Sequence, residues 1–276
     1  MSMPDNLVFV RHGQSEANIV QKASKEGDNS YYTDDVMTVP DRSWRLTKLG
    51  IAQANESGKY LTELFPSGFD RYFVSPYTRT RETAAHLNIP NALWRENRVV
   101  RERFWGEIGT IPRSQFLEDW PLSAKLKVHD PLYWSPPGGE SIAEVADSRV
   151  HGLLGTLHRE NSKENVIVVS HGEFIRAAML TIERWSDEEY VARETDPGSM
   201  IHNGMIVHYT RINPETGERA SRLEWIRIAY PQQVNTAEGA TGWGMRVIPW
   251  RFFDRQELTN QGLLEVVHSH PNRLGG

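Results

Sequence analysis

The 276-residue sequence contains no cysteine. This absence excludes disulfide bonds, zinc sites with cysteine ligands, iron–sulfur clusters and catalysis by a thiol. It also fits a reducing compartment. The first residues, MSMPDN, do not show the basic segment and apolar run of a signal peptide. We therefore expect a cytoplasmic protein.

The sequence also lacks an excess of positive charge and a long apolar run. Its formal net charge is -5 and its isoelectric point is near 6.1, so no basic surplus is available to neutralise nucleic-acid phosphates or an anionic membrane surface. No apolar run approaches the roughly 18 residues that span a bilayer. We expect no nucleic-acid or membrane partner, and the sequence leaves the oligomeric state open. A local group of arginines can still bind one small anion.

Short apolar runs that alternate with helical patterns indicate the fold class. Six such runs are predicted to be strands: Leu7–Val10, Tyr72–Val74, Val99–Val100, Asn165–Ser170, Ile206–Tyr209 and Leu223–Ile228. One helix is predicted to begin after Thr47 as its N-cap, and a long amphipathic helix to follow Gly138. We expect an α/β fold, a three-layer sandwich with a mostly parallel central sheet and helices on both faces.

The distribution of these patterns predicts one large domain, residues 1–230, and a C-terminal extension, residues 231–276. The chain is 38% hydrophobic, enough to bury a substantial core. Two polar or proline-rich stretches, near 19–45 and 108–137, interrupt the pattern, and we interpret them as loop insertions. Loops of this length in compact domains usually carry function or are disordered.

Unusual polar residues follow four of the predicted strands. Arg11 and His12 follow the first strand, Arg79 lies beyond the second, and Glu102 lies beyond Val99–Val100. His171 follows the strand that ends at Ser170. Ligands of α/β sheets bind beyond the carboxyl ends of the strands, so we expect these side chains to converge on one crevice.

This set of side chains has the chemistry needed for phosphoryl transfer. Two guanidinium groups can hold a phosphate and stabilise its charge during transfer. A neutral imidazole can attack phosphorus, and a carboxylic acid can protonate the leaving alcohol and then activate water. Nearby cations favour the unprotonated histidine that attacks. Because the arginines supply the positive charge, we expect neither a metal nor another cofactor.

Several blocks of the sequence occur in the order known from one enzyme family. RHGQSEAN (11–18), SPYTRT (75–80), RER (101–103) and SHGEF (170–174), together with LTKLGIAQA (46–54) and PGGES (137–141), resemble the histidine phosphatase superfamily, phosphoglycerate-mutase-like branch (branch 1). The resemblance spans about residues 7 to 211. It implies a phosphoglycerate-mutase-like fold and a small phosphorylated substrate.

The resemblance also assigns roles to individual residues. His12 would be the phosphorylated nucleophile and Glu102 the proton donor. Three residues would complete the phosphate pocket: Arg11, Arg79 and His171. Three more would bind substrate or allow the backbone to approach it closely: Gly13, Asn18 and Gly172.

Three functions are compatible with this site. A phosphomonoester hydrolase, of the histidine acid-type phosphatase class, is the preferred one. A phosphoglycerate mutase would use the same intermediate: ERFWG (102–106) is similar to the ERxYG run of mutases, and Arg113 falls where they carry a lysine. However, residues 114–137 contain no arginine, whereas mutases have a paired-arginine element there. A catalytically inactive phosphate-binding protein is disfavoured, because the nucleophile, the arginines and the acid are all intact.

Specificity for the leaving group is expected to reside in the two insertions. Their cations and tyrosines could contact the leaving group: Tyr31, Tyr32, Arg42, Arg45, Arg113, Lys125 and Lys127. The sequence does not identify the substrate, because specificity lies in such variable loops.

Overall fold

A computed structural model describes residues 2–235, 241–253, 257 and 259–269. These residues contain one seven-stranded sheet with the strand order β3-β2-β4-β1-β5-β6-β7. The strands are β1 Asn6–Arg11, β2 Arg71–Val74, β3 Trp94–Glu96, β4 Asn165–Ser170, β5 Ile206–Thr210, β6 Trp225–Asn235 and β7 Thr241–Phe252. Strands β3, β2, β4 and β1 pair in parallel, and every pairing from β1 onward to β7 is antiparallel.

Helices cover both faces of the sheet. They are α1 Glu16–Lys25, α2 Asp34–Met37, α3 Lys48–Leu64, α4 Thr78–His86, α5 Arg113–Asp119, α6 Pro121–His129, α7 Ile142–Glu144, α8 His151–Glu160, α9 Gly172–Glu183, α10 Asp187–Thr195 and α11 Asn260–Ser269. A π-helical segment, Val145–Val150, joins α7 to α8. None of the helices in the described residues is long and apolar enough to cross a membrane.

The apolar run of β1 is continuous because both faces of the strand are buried. Leu7 and Phe9 belong to the hydrophobic cluster that contains α8 and α9, whereas Val8 and Val10 belong to the cluster that contains α3 and α4. All four side chains are fully buried. This two-sided burial is typical of the central strands of an α/β sheet. The predicted three-layer α/β architecture is thus confirmed, with a mixed sheet in which β5 and β7 run opposite to the other strands.

The predicted strand Val99–Val100 is wrong. Residues Arg98–Val100 form a 3-10 turn outside the sheet, and the strand next to β2 is Trp94–Glu96. The Ser170 hydroxyl donates a hydrogen bond of 2.7 Å to the carbonyl of Val100, whose side chain is fully buried. A short run of β-branched residues therefore reflects packing under the sheet rather than strand pairing.

The predicted boundary at residue 230 falls inside β6, and the sheet continues through β7 to Phe252. The long β6–β7 hairpin was not expected, because Gly242, Gly244 and Pro249 interrupt the alternation that marks a strand. Residues 236–240, 254–256, 258 and 270–276 of the predicted extension lie outside the described residues.

The two predicted insertions are largely helical, and they contact each other. α1 occupies the start of 19–45 and continues to Lys25, and α5 and α6 lie within 108–137. The Ser24 hydroxyl accepts a hydrogen bond from the Arg113 backbone N–H, and the Asn29 amide donates to the Ser114 hydroxyl. Hydrogen bonds therefore join the two insertions to each other.

Candidate active site

His12 lies immediately beyond β1, and its ring is held in one orientation. Its backbone N–H donates to the carbonyl of Ser170 at 3.0 Å, which continues the parallel pairing of β1 with β4. Its Nδ1 lies 2.7 Å from the carbonyl oxygen of Gly13. A carbonyl can only accept, so Nδ1 carries the proton and Nε2 is left with a free lone pair. Burial, followed by the charges of Arg79 and Arg11, lowers the pKa of His12 well below 6.5.

Gly13 is required by close backbone packing. A Cβ at this position would lie 2.2 Å from the carbonyl oxygen of Gly50, near the start of α3. The backbone N–H of Gly13 donates to the Thr83 hydroxyl, which in turn donates to the carbonyl of Arg79. The loop after β1 is therefore tied to both α3 and α4.

His171 faces His12 across the pocket, with ring centroids 5.2 Å apart. It is fully buried at the N-cap of α9, and its Nε2 lies 2.7 Å from the Ser75 hydroxyl. That hydroxyl accepts from the Tyr77 backbone N–H, so its own hydrogen is available to Nε2. The proton of the ring then resides on Nδ1, a buried atom with no hydrogen-bond partner among the described residues. Nδ1–H can therefore donate to a phosphoryl oxygen.

Two guanidinium groups complete the cationic part of the pocket. Arg11 donates to the carbonyl of Ile201, and its Nε packs against Gly172, where an added Cβ would lie 3.3 Å away. Arg79 is 4% exposed, and its guanidinium lies 4.9 Å from the centroid of the Tyr77 ring. The Tyr77 ring in turn lies 4.9 Å from that of His171. Guanidinium groups can bind a phosphate bidentately.

Asn18 lies in the first turn of α1, on the same side of the pocket. Its Oδ1 accepts hydrogen bonds from the backbone N–H and the hydroxyl of Ser15 and from the amide of Asn203. Asn203 also donates to the carbonyl of His12. Because the oxygen of Asn18 is engaged by protein donors, its amide N–H is the group that it can offer to an anion.

Glu102 approaches the two histidines from the 3-10 turn at 98–100. Its Oε2 lies 4.0 Å from Nδ1 of His171, and its Oε1 accepts from the backbone N–H of Arg103 at 2.9 Å. Burial, and then the charge of Glu173, raise the pKa of Glu102 from 4.5 to about 7. The carboxyl is thus poised to be protonated near neutral pH, as a proton donor requires.

Arg149, in the π-helical segment, positions the backbone on both sides of Glu102. Its Nη1 donates to the carbonyl of Arg101 at 2.7 Å, and its Nη2 donates to the Glu140 carboxylate at 3.0 Å. Arg101 binds both oxygens of the same carboxylate at 2.9 Å. Glu140 belongs to the sequence block PGGES, and its carboxylate therefore organises the loop that carries Glu102.

Comparison with known proteins agrees with this geometry. The family model of the histidine phosphatase superfamily (branch 1) matches residues 7–211. The chain belongs to this superfamily. The match to branch 1 corrects one expectation. The acid-type label does not apply to this chain, because histidine acid phosphatases form a different branch of the superfamily.

Curated relatives of this chain include mutases, and solved structures with the same fold include phosphatases. The chain is 30% identical over 207 residues to phosphoglycerate mutase-like protein AT74 of Arabidopsis thaliana. This alignment covers 68% of the chain and 60% of the relative. The chain is also 28% identical over 202 residues to the 2,3-bisphosphoglycerate-dependent phosphoglycerate mutase of Nitrobacter winogradskyi. This alignment covers 71% of the chain and 89% of the relative. A mycobacterial glucosyl-3-phosphoglycerate phosphatase shares the fold, with a TM-score of 0.57, 21% identity and coverage of 74% and 92%.

The residues that were predicted to contact the leaving group lie in different surroundings. Arg45 is paired with Glu82, with Nη2 and Oε1 2.5 Å apart. Lys127 lies 5.3 and 5.1 Å from the ring centroids of Trp105 and Trp134. Tyr32 lines a crevice beside α1. The remaining four residues are exposed: Tyr31, Arg42, Arg113 and Lys125.

Three site residues escaped the sequence analysis. Ser75 and Tyr77 lie within the quoted block SPYTRT, so their place beside Arg79 was a usable signal. Asp41 carried no signal, because it lies in a stretch without periodicity, yet its carboxylate contacts the Arg79 guanidinium at 3.1 Å. Among the described residues, no group of three or more His, Asp or Glu side chains could hold a metal ion.

Proposed function

We propose that this member of the superfamily is a phosphomonoester hydrolase. The observation that supports the proposal most is the composition of one pocket: two buried imidazoles 5.2 Å apart, the guanidinium groups of Arg11 and Arg79, and a carboxyl whose pKa is raised to about 7. The substrate is a small phosphorylated molecule, and a cytoplasmic location remains a prediction of the sequence.

The proposed reaction has two steps. First, Nε2 of His12 forms a bond to phosphorus while the ester P–O bond breaks, and protonated Glu102 gives its proton to the leaving alkoxide. Second, the Glu102 carboxylate takes a proton from water, whose oxygen attacks phosphorus as the P–N bond breaks. Arg11, Arg79 and His171 stabilise the phosphoryl charge in both steps. The products are the alcohol and inorganic phosphate.

Phosphoglycerate mutase is the second candidate function. Relatives that carry this name are 27–29% identical to the chain over 71–76% of its length. In a mutase, a hydroxyl of bound phosphoglycerate would replace the water of the second step. The mutase must hold a carboxylate as well as a phosphate, and residues 114–137 provide Lys125 and Lys127 but no arginine for it. This composition favours hydrolysis.

A paired assay tests the proposal. Phosphate release from a panel of monoesters is measured beside the conversion of 3-phosphoglycerate to 2-phosphoglycerate. We expect release without isomerisation; isomerisation that exceeds release would establish the mutase instead.

The nucleophile is tested by replacing His12. His12→Ala should lower turnover by at least about 10³-fold and abolish the acid-labile phosphoryl label on the protein. His158→Ala, which changes an exposed histidine on α8, is the matched control and should keep both. A His12→Ala protein that still acquires the label would refute the assignment.

A further inference from the structure

A tight turn precedes β5, and two other elements hold it in place. The backbone N–H of Met205 donates to the carbonyl of His202 at 3.1 Å, and Gly204, between them, has a φ of 73°. A type II turn requires a positive φ at its third residue, and glycine adopts it without strain. A Cβ at Gly204 would lie 2.8 Å from Cγ of Pro231 in β6, and its carbonyl accepts from the Ser57 hydroxyl of α3 at 2.8 Å. The turn is therefore fixed by α3 and β6.

This turn is joined to the end of β1 that carries the pocket residues. The backbone N–H of Arg11 donates to the carbonyl of Met205 at 2.9 Å, and the Arg11 guanidinium donates to the carbonyl of Ile201. The backbone N–H of Gly204 donates to the carbonyl of His12 at 3.2 Å. The position of the turn and the position of the nucleophile's loop therefore depend on each other.

Asn203, in the same turn, connects His12 to Asn18. Its Nδ2 donates to the carbonyl of His12 and to Oδ1 of Asn18, each at 3.1 Å. The carbonyl of His12 can only accept, so the NH2 group of Asn203 must face it. The backbone N–H of Ser15 can only donate, and it lies 3.1 Å from Oδ1 of Asn18, so the oxygen of Asn18 must face Ser15. The partners therefore determine the orientation of both amides.

The NH2 group of Asn18 is left for the phosphate. The hydrogen bonds of Asn18 within the described part of the chain all use its oxygen, and none uses Nδ2. Ser15, the N-cap of α1, determines which end of this amide faces the protein. Asn203 holds the same oxygen from a different element, so the two contacts together restrict the plane of the amide. A hydrogen bond weakens steeply as it bends, so this restriction governs how well Asn18 donates to an anion.

We infer that Asn203 is a positioning residue for phosphate binding, which acts through the amide of Asn18. The inference rests on the proposed function, because it takes the pocket to bind the phosphate of the substrate. Asn203 does not itself donate to the phosphate: its NH2 group has two hydrogens, and the acceptors on His12 and Asn18 use both. Its remaining polar atom is an oxygen, which an anion repels. Loss of Asn203 should therefore weaken phosphate binding only while Asn18 is present.

A double-mutant cycle on these two asparagines tests the inference. Binding of inorganic phosphate, the product of the proposed hydrolysis, is measured by calorimetry on the wild type, both single variants and the double variant. Asn18→Ala should weaken binding about tenfold, because it removes a hydrogen bond to a charged group. Asn203→Ala should weaken binding about fivefold, and the double variant should bind within about twofold of Asn18→Ala.

Independent roles for the two residues predict a different result. The effects would then multiply, and the double variant would bind phosphate about fiftyfold more weakly than the wild type. That outcome would overturn the inference, as would an Asn203→Ala protein that binds phosphate as tightly as the wild type. Asn203→Ser keeps a residue that turns favour, and it replaces Asn203→Ala in the cycle if the alanine protein does not fold.

Asn165→Ala is the matched control for a loss of stability alone. It removes an amide–amide hydrogen bond of 2.7 Å between Asn165 and Asn6, at the opposite end of β1 and β4. In urea unfolding it should lower stability as Asn203→Ala does, yet leave phosphate affinity unchanged. A control that loses as much phosphate affinity as Asn203→Ala would contradict the inference, because general loosening of the fold would then explain both.

Failure of the proposed function gives a different result from failure of this inference. If the wild type hydrolyses no monoester but the two asparagines are coupled in phosphate binding, the hydrolase assignment fails and the role of Asn203 stands. If monoesters are hydrolysed and the coupling is absent, the role of Asn203 fails and the hydrolase assignment stands. A wild type that does not bind inorganic phosphate would also overturn the role of Asn203.

Discussion

Replacing Glu102 with glutamine should make the protein more stable at alkaline pH while it removes the proton donor. The pKa of Glu102 is raised from 4.5 to about 7, chiefly by burial. This shift corresponds to about 3 kcal/mol that disfavours the ionised carboxyl in the folded protein. Glutamine has nearly the same shape, carries no charge, and can still accept from the backbone N–H of Arg103.

The sign of the pH dependence follows from proton binding. Between pH 4.5 and about 7 the folded protein retains a proton that the unfolded chain has lost, so its free energy of unfolding falls as pH rises through this range. The full penalty is present above the folded pKa and absent below the unfolded one. Glu102→Gln should therefore match the wild type near about pH 4 and exceed its stability by up to about 3 kcal/mol near about pH 8.

Urea unfolding at the two pH values measures this difference directly. Glu118→Gln, at an exposed position of α5, is the matched control and should show no such gain. Phosphate release provides a second readout: for the wild type it should fall about tenfold per pH unit above about pH 7, because the acid loses its proton. A stability difference between Glu102→Gln and the wild type that does not change with pH would refute the reasoning.

Two further predictions concern the support of the histidines. Gly13→Ala should destabilise the protein by about 2 kcal/mol or more, because the new Cβ would lie 2.2 Å from the Gly50 carbonyl oxygen. Gly152→Ala is the control, because its new Cβ in α8 would meet nothing within 4 Å. In urea unfolding this variant should be more stable than the wild type by about 0.5–1 kcal/mol. Equal effects of the two changes would contradict the packing argument. Ser75→Ala should lower kcat by about tenfold with little change in KM, because it releases the ring tautomer of His171; a loss confined to KM would argue against that role.

The sequence predicted that several polar side chains converge, because they follow the carboxyl ends of strands that run in the same direction. Arg11, His12 and His171 stand at the ends of strands β1 and β4, which are neighbours in the sheet. The unbroken apolar runs before them are recognisable without any contact information. Parallel pairing then brings the polar residues that follow to the same edge.

Glu102 was predicted in the correct region by an incorrect route. The residues before it do not pair with the sheet; they are held by the Ser170 hydroxyl and by Arg149. Hydrogen bonds between residues so distant in sequence leave no local pattern. The resemblance carried by the RER block, rather than the predicted strand, assigned the role of proton donor to Glu102, and that role stays a prediction.

The structure of the insertions and of the β6–β7 hairpin could not be predicted from local sequence patterns, again because it depends on contacts between distant residues. Asp41 contacts Arg79, which lies 38 residues further along the chain. Arg45, near Asp41 in sequence, is bound by Glu82. Within the hairpin, β6 pairs with β5 on one side and on the other with β7, the strand that contains two glycines and a proline. In both places tertiary contacts decide what composition alone leaves open.

The winding of one helical segment determines which side chain supports the backbone around Glu102. The π-helical turn at Val145–Val150 accommodates one residue more than a regular α-helix would, and such bulges are frequent at functional sites. Removing one residue from this turn would restore the regular pitch and change which side chains of the turn face the Glu102 loop. Arg149 would then lose the position from which it binds the carbonyl of Arg101, although no group that lines the phosphate pocket would have been replaced. The length of this segment is thus as consequential for the pocket as the identity of its side chains.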